Sequence, residues 1–134
     1  MPITPEKIKV SSGTTWEKKY GYSRAIRIGN LVEVAGTTAV DGDTIVGRGN
    51  LAEQTRFIFR KIEKALKECG SCLDHAVRTR MFVTDITLWD EAASVHGEFF
   101  SETRPVATLV EVSSLVDPEL LIEIEVTAIV PEGE

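Results

Sequence analysis

Near the end of the chain, residues 120–129 alternate in side-chain direction. Ile122, Ile124, Val126 and Ala128 point one way, and Leu121, Glu123, Glu125, Thr127 and Ile129 point the other. Period-two patterning is a strand signal, and apolar groups on both sides require that both faces be covered. The chain must therefore supply a layer for one face and find something else for the second.

The first layer is legible. Asn50 stands as an N-cap with Glu53 three residues on, a capping-box-like pairing. Leu51, Thr55, Ile58, Ile62, Ala65, Leu66 and Cys69 then recur at helical spacing up to Gly70, a C-terminal stop. The opposite side carries Arg56, Arg60, Lys61, Lys64, Lys67 and Glu68 and reads as a solvated basic face. A second helix is expected over residues 87–100, with Leu88, Ala92, Val95 and Phe99 as its stripe.

Strands are expected on either side of Gly29-Asn30, a two-residue hairpin turn, with Asp41-Gly42 as a second turn. Residues 77–86 alternate, with Val77, Thr79, Met81 and Val83 on one face. Residues 108–112 and the closing strand flank an Asp117-Pro118 turn. The polar first 20 residues, with Ser11, Ser12, Gly13, Thr14 and Thr15 in a row, read as an irregular N-terminal arm of a single domain spanning 1–134. The order is β-β-α-β-α-β-β, an α+β fold whose two helices cover one sheet face. Self-association is the simplest cover for the other.

Charge narrows the function classes. Lys plus Arg number 15 against 21 Asp plus Glu, a net charge of −6. That balance disfavours gripping nucleic acid phosphates or anionic lipid. No apolar run approaches the roughly 20 residues a membrane span needs. The first residues hold no apolar leader, and two cysteines are too few for a disulfide scaffold, so a cytoplasmic location is expected.

Several residues are candidates for chemistry. Cys69 and Cys72 form a C-x-x-C pair near His75 and His96, but Cys69 completes the helix stripe and reads as a core thiol rather than a metal ligand. A C-terminal helix position also has the wrong dipole sign for thiolate activation. Glu123 and Glu125 share a strand face, where burial would raise a carboxylate pKa. Spacing does not separate the two. Tyr22 and Arg24 project to one side and suit an anionic or carbonyl-bearing ligand. Arg104 stands before Pro105 as a loop-borne candidate anion clamp, and His96, late in the second helix, is a candidate for the border of a cleft. No P-loop, G-x-G-x-x-G, H-E-x-x-H or G-x-S-x-G is present.

Taken in order, Gly21-Tyr22-Ser23-Arg24-Ala25, Gly29-Asn30-Leu31-Val32, Ala35-Gly36-Thr37, Met81-Phe82-Val83-Thr84-Asp85, Val110-Glu111-Val112 and Ile122-Glu123-Ile124-Glu125 resemble the RidA/YjgF family, also called Rid or endoribonuclease L-PSP. The resemblance covers roughly residues 20–130. It implies a chorismate-mutase-like homotrimer with helices outside, sheets facing the three-fold axis and ligand clefts between subunits. It also implies hydrolysis of imines and enamines to ketoacids and ammonia, with no metal or organic cofactor. Glu123 matches the family's water-positioning glutamate and Tyr22 its first-strand tyrosine. Backbone groups near the second strand, about Thr37, complete the cleft. The family's carboxylate-binding arginine has no counterpart, because alignment on Pro105 and Val110-Glu111-Val112 puts Ala107 there.

The resemblance thus implies an Arg-lacking subgroup, and the usual 2-aminoacrylate preference is not expected. Arg24 is the better substitute, since Arg104 lies about 10 Å away along an extended strand. Three functions compete. They are a C=N hydrolase with Glu123 as base and Tyr22 and Arg24 as orienting groups, a non-catalytic or chaperone-like ligand-binding trimer, and an endoribonuclease. The acidic balance disfavours the last.

Overall fold

The computed structural model describes residues 6–133. In chain order the elements are β1 (Lys7–Val10), α1 (Thr15–Tyr20), β2 (Ala25–Ile28), β3 (Leu31–Thr37), β4 (Val40–Asp41), β5 (Thr44–Ile45), α2 (Leu51–Glu68), β6 (Ala76–Val83), α3 (Trp89–Phe100), β7 (Val106–Glu111) and β8 (Ile122–Ile129). Six strands form one mixed sheet in the order β1-β2-β3-β8-β6-β7, and β4 pairs with β5 in a small separate hairpin. Among the described strands, only β6 and β7 pair in parallel.

The closing strand is interior, between β3 and β6. Val126 faces Val34 on one side and Thr79 on the other, and Ile124 faces Thr37 and Met81. These rows, with Ile122 and Ala128, are buried beneath α2 and α3. On α2, Ile58, Phe59, Ile62 and Leu66 are fully buried. Removing such a side chain to Ala costs about 2–5 kcal/mol. The cap is formed as the sequence suggests: Asn50 Oδ1 accepts from the Glu53 amide at 3.0 Å. At the other end Arg27 Nη1 donates to Cys69 O at 2.9 Å, and Cys69 is buried in the core.

Three expectations need correction. The arm was expected to be irregular, but β1 adds to the sheet edge and residues 15–20 form α1, while residues 1–5 lie outside the described residues. Neither piece is long enough to hold itself; β2 supports the strand, and the buried Glu17 supports the helix. Val77 is expected on one face with Thr79, Met81 and Val83, yet a register shift between Ala76 and Arg78 turns it outward and puts Ala76 among the buried residues instead. Leu121 is expected on the face of Glu123 and Glu125, opposite Ile122, but it precedes β8 and packs against the core cluster.

The second sheet face is mixed. Its middle carries Glu33, Arg80, Glu125 and Thr127, paired as Arg80–Glu125 at 3.5 Å and Thr127 Oγ1 donating to Glu33. Exposed Ile28, Leu31 and Ile129 lie at one end, and Val106 and Val110 at the other. No helix among the described residues is long and apolar enough to cross a membrane.

Candidate functional site

Residues 11–24 are organised by Glu17. Its buried carboxylate accepts from Ser11 Oγ (2.7 Å), the Ser12 amide (3.0 Å), Ser12 Oγ and Thr14 Oγ1 (3.2 Å). Arg24 Nε lies 3.5 Å from it. Burial acts to raise the Glu17 pKa, but the hydrogen bonds from Ser12 and Ser11 and the charge of Arg24 outweigh it and hold the carboxyl below its ordinary value. Helix α1 ends at Gly21, left-handed at φ 78°, where the Gly21 and Tyr22 amides both donate to Glu17 O. This turn brings Tyr22 and Arg24 together, with the guanidinium carbon 5.7 Å from the Tyr22 ring centroid.

Arg24 is buried and largely committed. Its Nη1 donates to Gly36 O (2.9 Å) and to Thr37 Oγ1 (3.0 Å), and Thr37 in turn donates to Ala35 O (2.8 Å). These bonds fasten a bulge. Val34 pairs with Val126 and Thr37 with Ile124, so β3 carries an extra residue where Ala35 and Gly36 pass β8. Thr37, proposed from sequence as a ligand contact, is fully buried and acts through Arg24 and the bulge.

The bulge distinguishes the two glutamates. Glu125 faces Arg80 across the strands and pairs with it. The Glu123 carboxylate lies against Gly36, where any Cβ would collide with it. Burial raises the Glu123 pKa, the charge of Glu125 raises it further, and Arg24 pulls it back down, leaving a net upward shift. Gln54 fixes the approach to β8, donating to Glu119 O (3.0 Å) and accepting from the Leu121 amide (2.9 Å).

Tyr22, Arg24, Gly36 and Glu123 line one cavity of about 540 Å³. Trp16, Val40, Ile45, Val116 and Leu120 give it apolar walls, and Asp43, Asp117 and Lys61 add charge. A larger concavity of about 720 Å³ spreads over the second sheet face, where its Arg80 and Glu125 already pair with each other. The smaller cavity has the better chemistry: a carboxylate with a raised pKa, a phenol and two cations converge there.

Other sequence candidates lie elsewhere. His96 packs among Phe59 and Phe100, with Nε2 2.8 Å from the hydroxyl of buried Thr79. Burial lowers its pKa, and it does not line this cavity of its own protomer. Its partner belongs to another element and could not be read from helix spacing. Arg104 is exposed, with a left-handed φ of 51° and its amide bonded to Phe100 O, and it does not reach this cavity. Ala107 lies on edge strand β7 opposite Thr79, also away from the cavity of its own protomer. Among the described residues no three His, Cys, Asp or Glu side chains converge on a metal-sized site.

Lys61 was missed. Sequence analysis assigns it to the solvated face of α2, but its Nζ donates to Val40 O at 3.0 Å and it lines the cavity. The signal was its place beside Ile62 and one turn from Ala65, at the boundary of the apolar stripe.

The fold and sequence have counterparts. The family model described as endoribonuclease L-PSP matches residues 15–130. The chain belongs to this family. A crystal structure of Rv2704 from Mycobacterium tuberculosis, described as a member of the YjgF/YER057c/UK114 family, is 50% identical. It superposes with a TM-score of 0.84 over 93% of this chain and 100% of that one. An uncharacterized Streptomyces coelicolor protein, SCO2049, is 37% identical over 94% of this chain and 95% of its own length. The RutC family protein PYRAB12510 of Pyrococcus abyssi is 34% identical over 80% and 84%.

Proposed function

We propose that this Rid-family chain is a small-molecule hydrolase acting on imines or enamines. The observation that carries the reading is the Glu123 carboxylate, half-buried against Gly36 with a raised pKa, in a cavity shared with Tyr22 and Arg24. A carboxylate so placed holds a water and takes its proton as the oxygen adds to the C=N carbon. That proton passes to nitrogen to give the carbinolamine. The carbinolamine hydroxyl proton then moves through the same carboxylate to the nitrogen as the C–N bond breaks, and ketone and ammonia leave. An enamine enters the sequence after protonation at carbon to the imine. Positioned proton transfer of this kind contributes typically ~10²–10⁴-fold. Tyr22 orients the substrate, and Arg24 stiffens the wall and biases the field.

The same reading takes the working unit to be a homotrimer with clefts completed by neighbouring subunits. The exposed apolar ends of the second sheet face support this, since Leu31, Ile129, Val106 and Val110 would otherwise stay in water. A second reading, a ligand-binding trimer without turnover, draws support from Ala107, which offers no charge to a carboxylate. A panel of enzymatically generated imines, charged and uncharged, tests between them. Accelerated ammonia release for any member supports the hydrolase. Saturable binding with no acceleration across the panel supports the second reading.

A further inference from the structure

The cavity contains a cation with unused capacity. Lys61 reaches from α2 to Val40 O at 3.0 Å, which engages one of its three N–H donors. Among the described residues no carboxylate lies within ion-pair distance of it; Glu17 is bound to the serines and Arg24, and Asp41 attracts it only from farther away. Arg24, the other cation of the cavity, has Nη1 committed to Gly36 and Thr37. Asp43 and Asp117 also line the cavity, so a bound anion is favoured beside Lys61 and disfavoured beside the two carboxylates. Burial disfavours the ammonium, and the nearby charge of Arg24 disfavours it further, while Glu17 and Asp41 oppose both effects. A ligand anion would relieve that cost.

The remaining lining is apolar and bulky. Trp16, Val116, Ile45 and Leu120 surround a volume of about 540 Å³, far more than a two- or three-carbon acid fills. Trp16 and Val116 are well exposed in the protomer, so their burial by a ligand would be a net gain.

We propose that Lys61 anchors the carboxylate of the cavity's ligand and that the Trp16–Val116 wall selects a bulky apolar side chain, which makes the ligand class a 2-imino or 2-oxo acid with an aromatic or branched substituent. This rests on the proposed function only for taking the Glu123 cavity as the ligand site. Lys61 is a binding residue here, and Glu123 keeps the chemistry.

The test is calorimetric binding to the purified full chain, with phenylpyruvate, phenylacetone (the same skeleton without the carboxylate) and pyruvate as probes. Phenylpyruvate should bind about tenfold or more tighter than either of the others. Lys61→Met should weaken phenylpyruvate about tenfold and leave phenylacetone within about twofold. Trp16→Ala should narrow the gap between phenylpyruvate and pyruvate. A thermal melt of each variant reports its folding, and the wild-type comparison needs no variant. Absent binding of phenylpyruvate, equal affinity for phenylacetone, or a Lys61→Met protein that still discriminates would overturn the proposal. Lys61-dependent binding in a chain that hydrolyses no imine would sink the hydrolase alone. Glu123-dependent hydrolysis with binding indifferent to Lys61 would sink this proposal alone.

Discussion

The Glu123 carboxylate rests on the backbone of Gly36, and a Cβ at that position would lie 3.0 Å from the Glu123 carboxyl carbon and closer still to Oε2. Gly36 does not have a positive φ, so the backbone itself tolerates alanine. The colliding atoms are the end of a flexible side chain, which can swing away. Gly36→Ala should therefore shift the melting temperature little while lowering turnover of a responsive imine about tenfold or more. Steady-state rates beside a thermal melt check this. Unchanged turnover would show that the contact does not position the carboxylate.

Glu123 also makes a stability prediction. Its folded-state pKa is raised, so the fold prefers the protonated form. By linkage its contribution is intact below the ordinary carboxylate range and is lost as pH rises through the raised value. Glu123→Gln should melt higher than the wild type at neutral pH, and the difference should shrink toward zero in acid. Denaturation at several pH values measures it. A variant less stable at neutral pH would contradict the burial account.

Glu17 has the opposite sign. Its carboxyl is held low, so its contribution is present above the ordinary carboxylate range and lost as pH falls through the depressed value. Glu17→Ala strands three hydroxyls and the Arg24 guanidinium and should cost about 3 kcal/mol at neutral pH. Glu17→Gln should cost less. Urea unfolding of both variants is the check, and a loss below about 0.5 kcal/mol for the alanine would show that water replaces the network.

His96 separates the interior from the site. His96→Leu leaves the buried Thr79 hydroxyl without its partner and should cost about 1–3 kcal/mol. Affinity for a cleft ligand should stay the same. A large affinity loss with little destabilisation would return His96 to the cleft.

The contrast between these residues shows what a sequence carries. The faces of β8 and the cap of α2 were legible because each depends on neighbours along the chain: period two in one case, Asn50 and Glu53 in the other. Tyr22 and Arg24 also come together, but through the Gly21 turn ahead of β2 rather than through strand alternation, since β2 begins only at Ala25. The choice between Glu123 and Glu125 was not legible from spacing, because a bulge on β3 makes it from across the sheet. Strand β1 and helix α1 are too short to announce themselves and depend on β2 and on the Glu17 carboxylate. Lys61 sits where an apolar stripe meets a basic face, and only the β4 carbonyl it reaches decides which it joins.

The most direct test of the central claim is Glu123→Gln in a coupled assay of imine hydrolysis, run as a pH–rate profile beside the wild type. The wild type should lose activity on the acid side at a pH above the ordinary carboxylate range, as the raised pKa of Glu123 requires. The variant should fall by about 10²-fold or more and lose that limb, with the fold and oligomeric state unchanged. A Glu123→Gln protein that hydrolyses imines at the wild-type rate, with the same acid limb, would contradict the account.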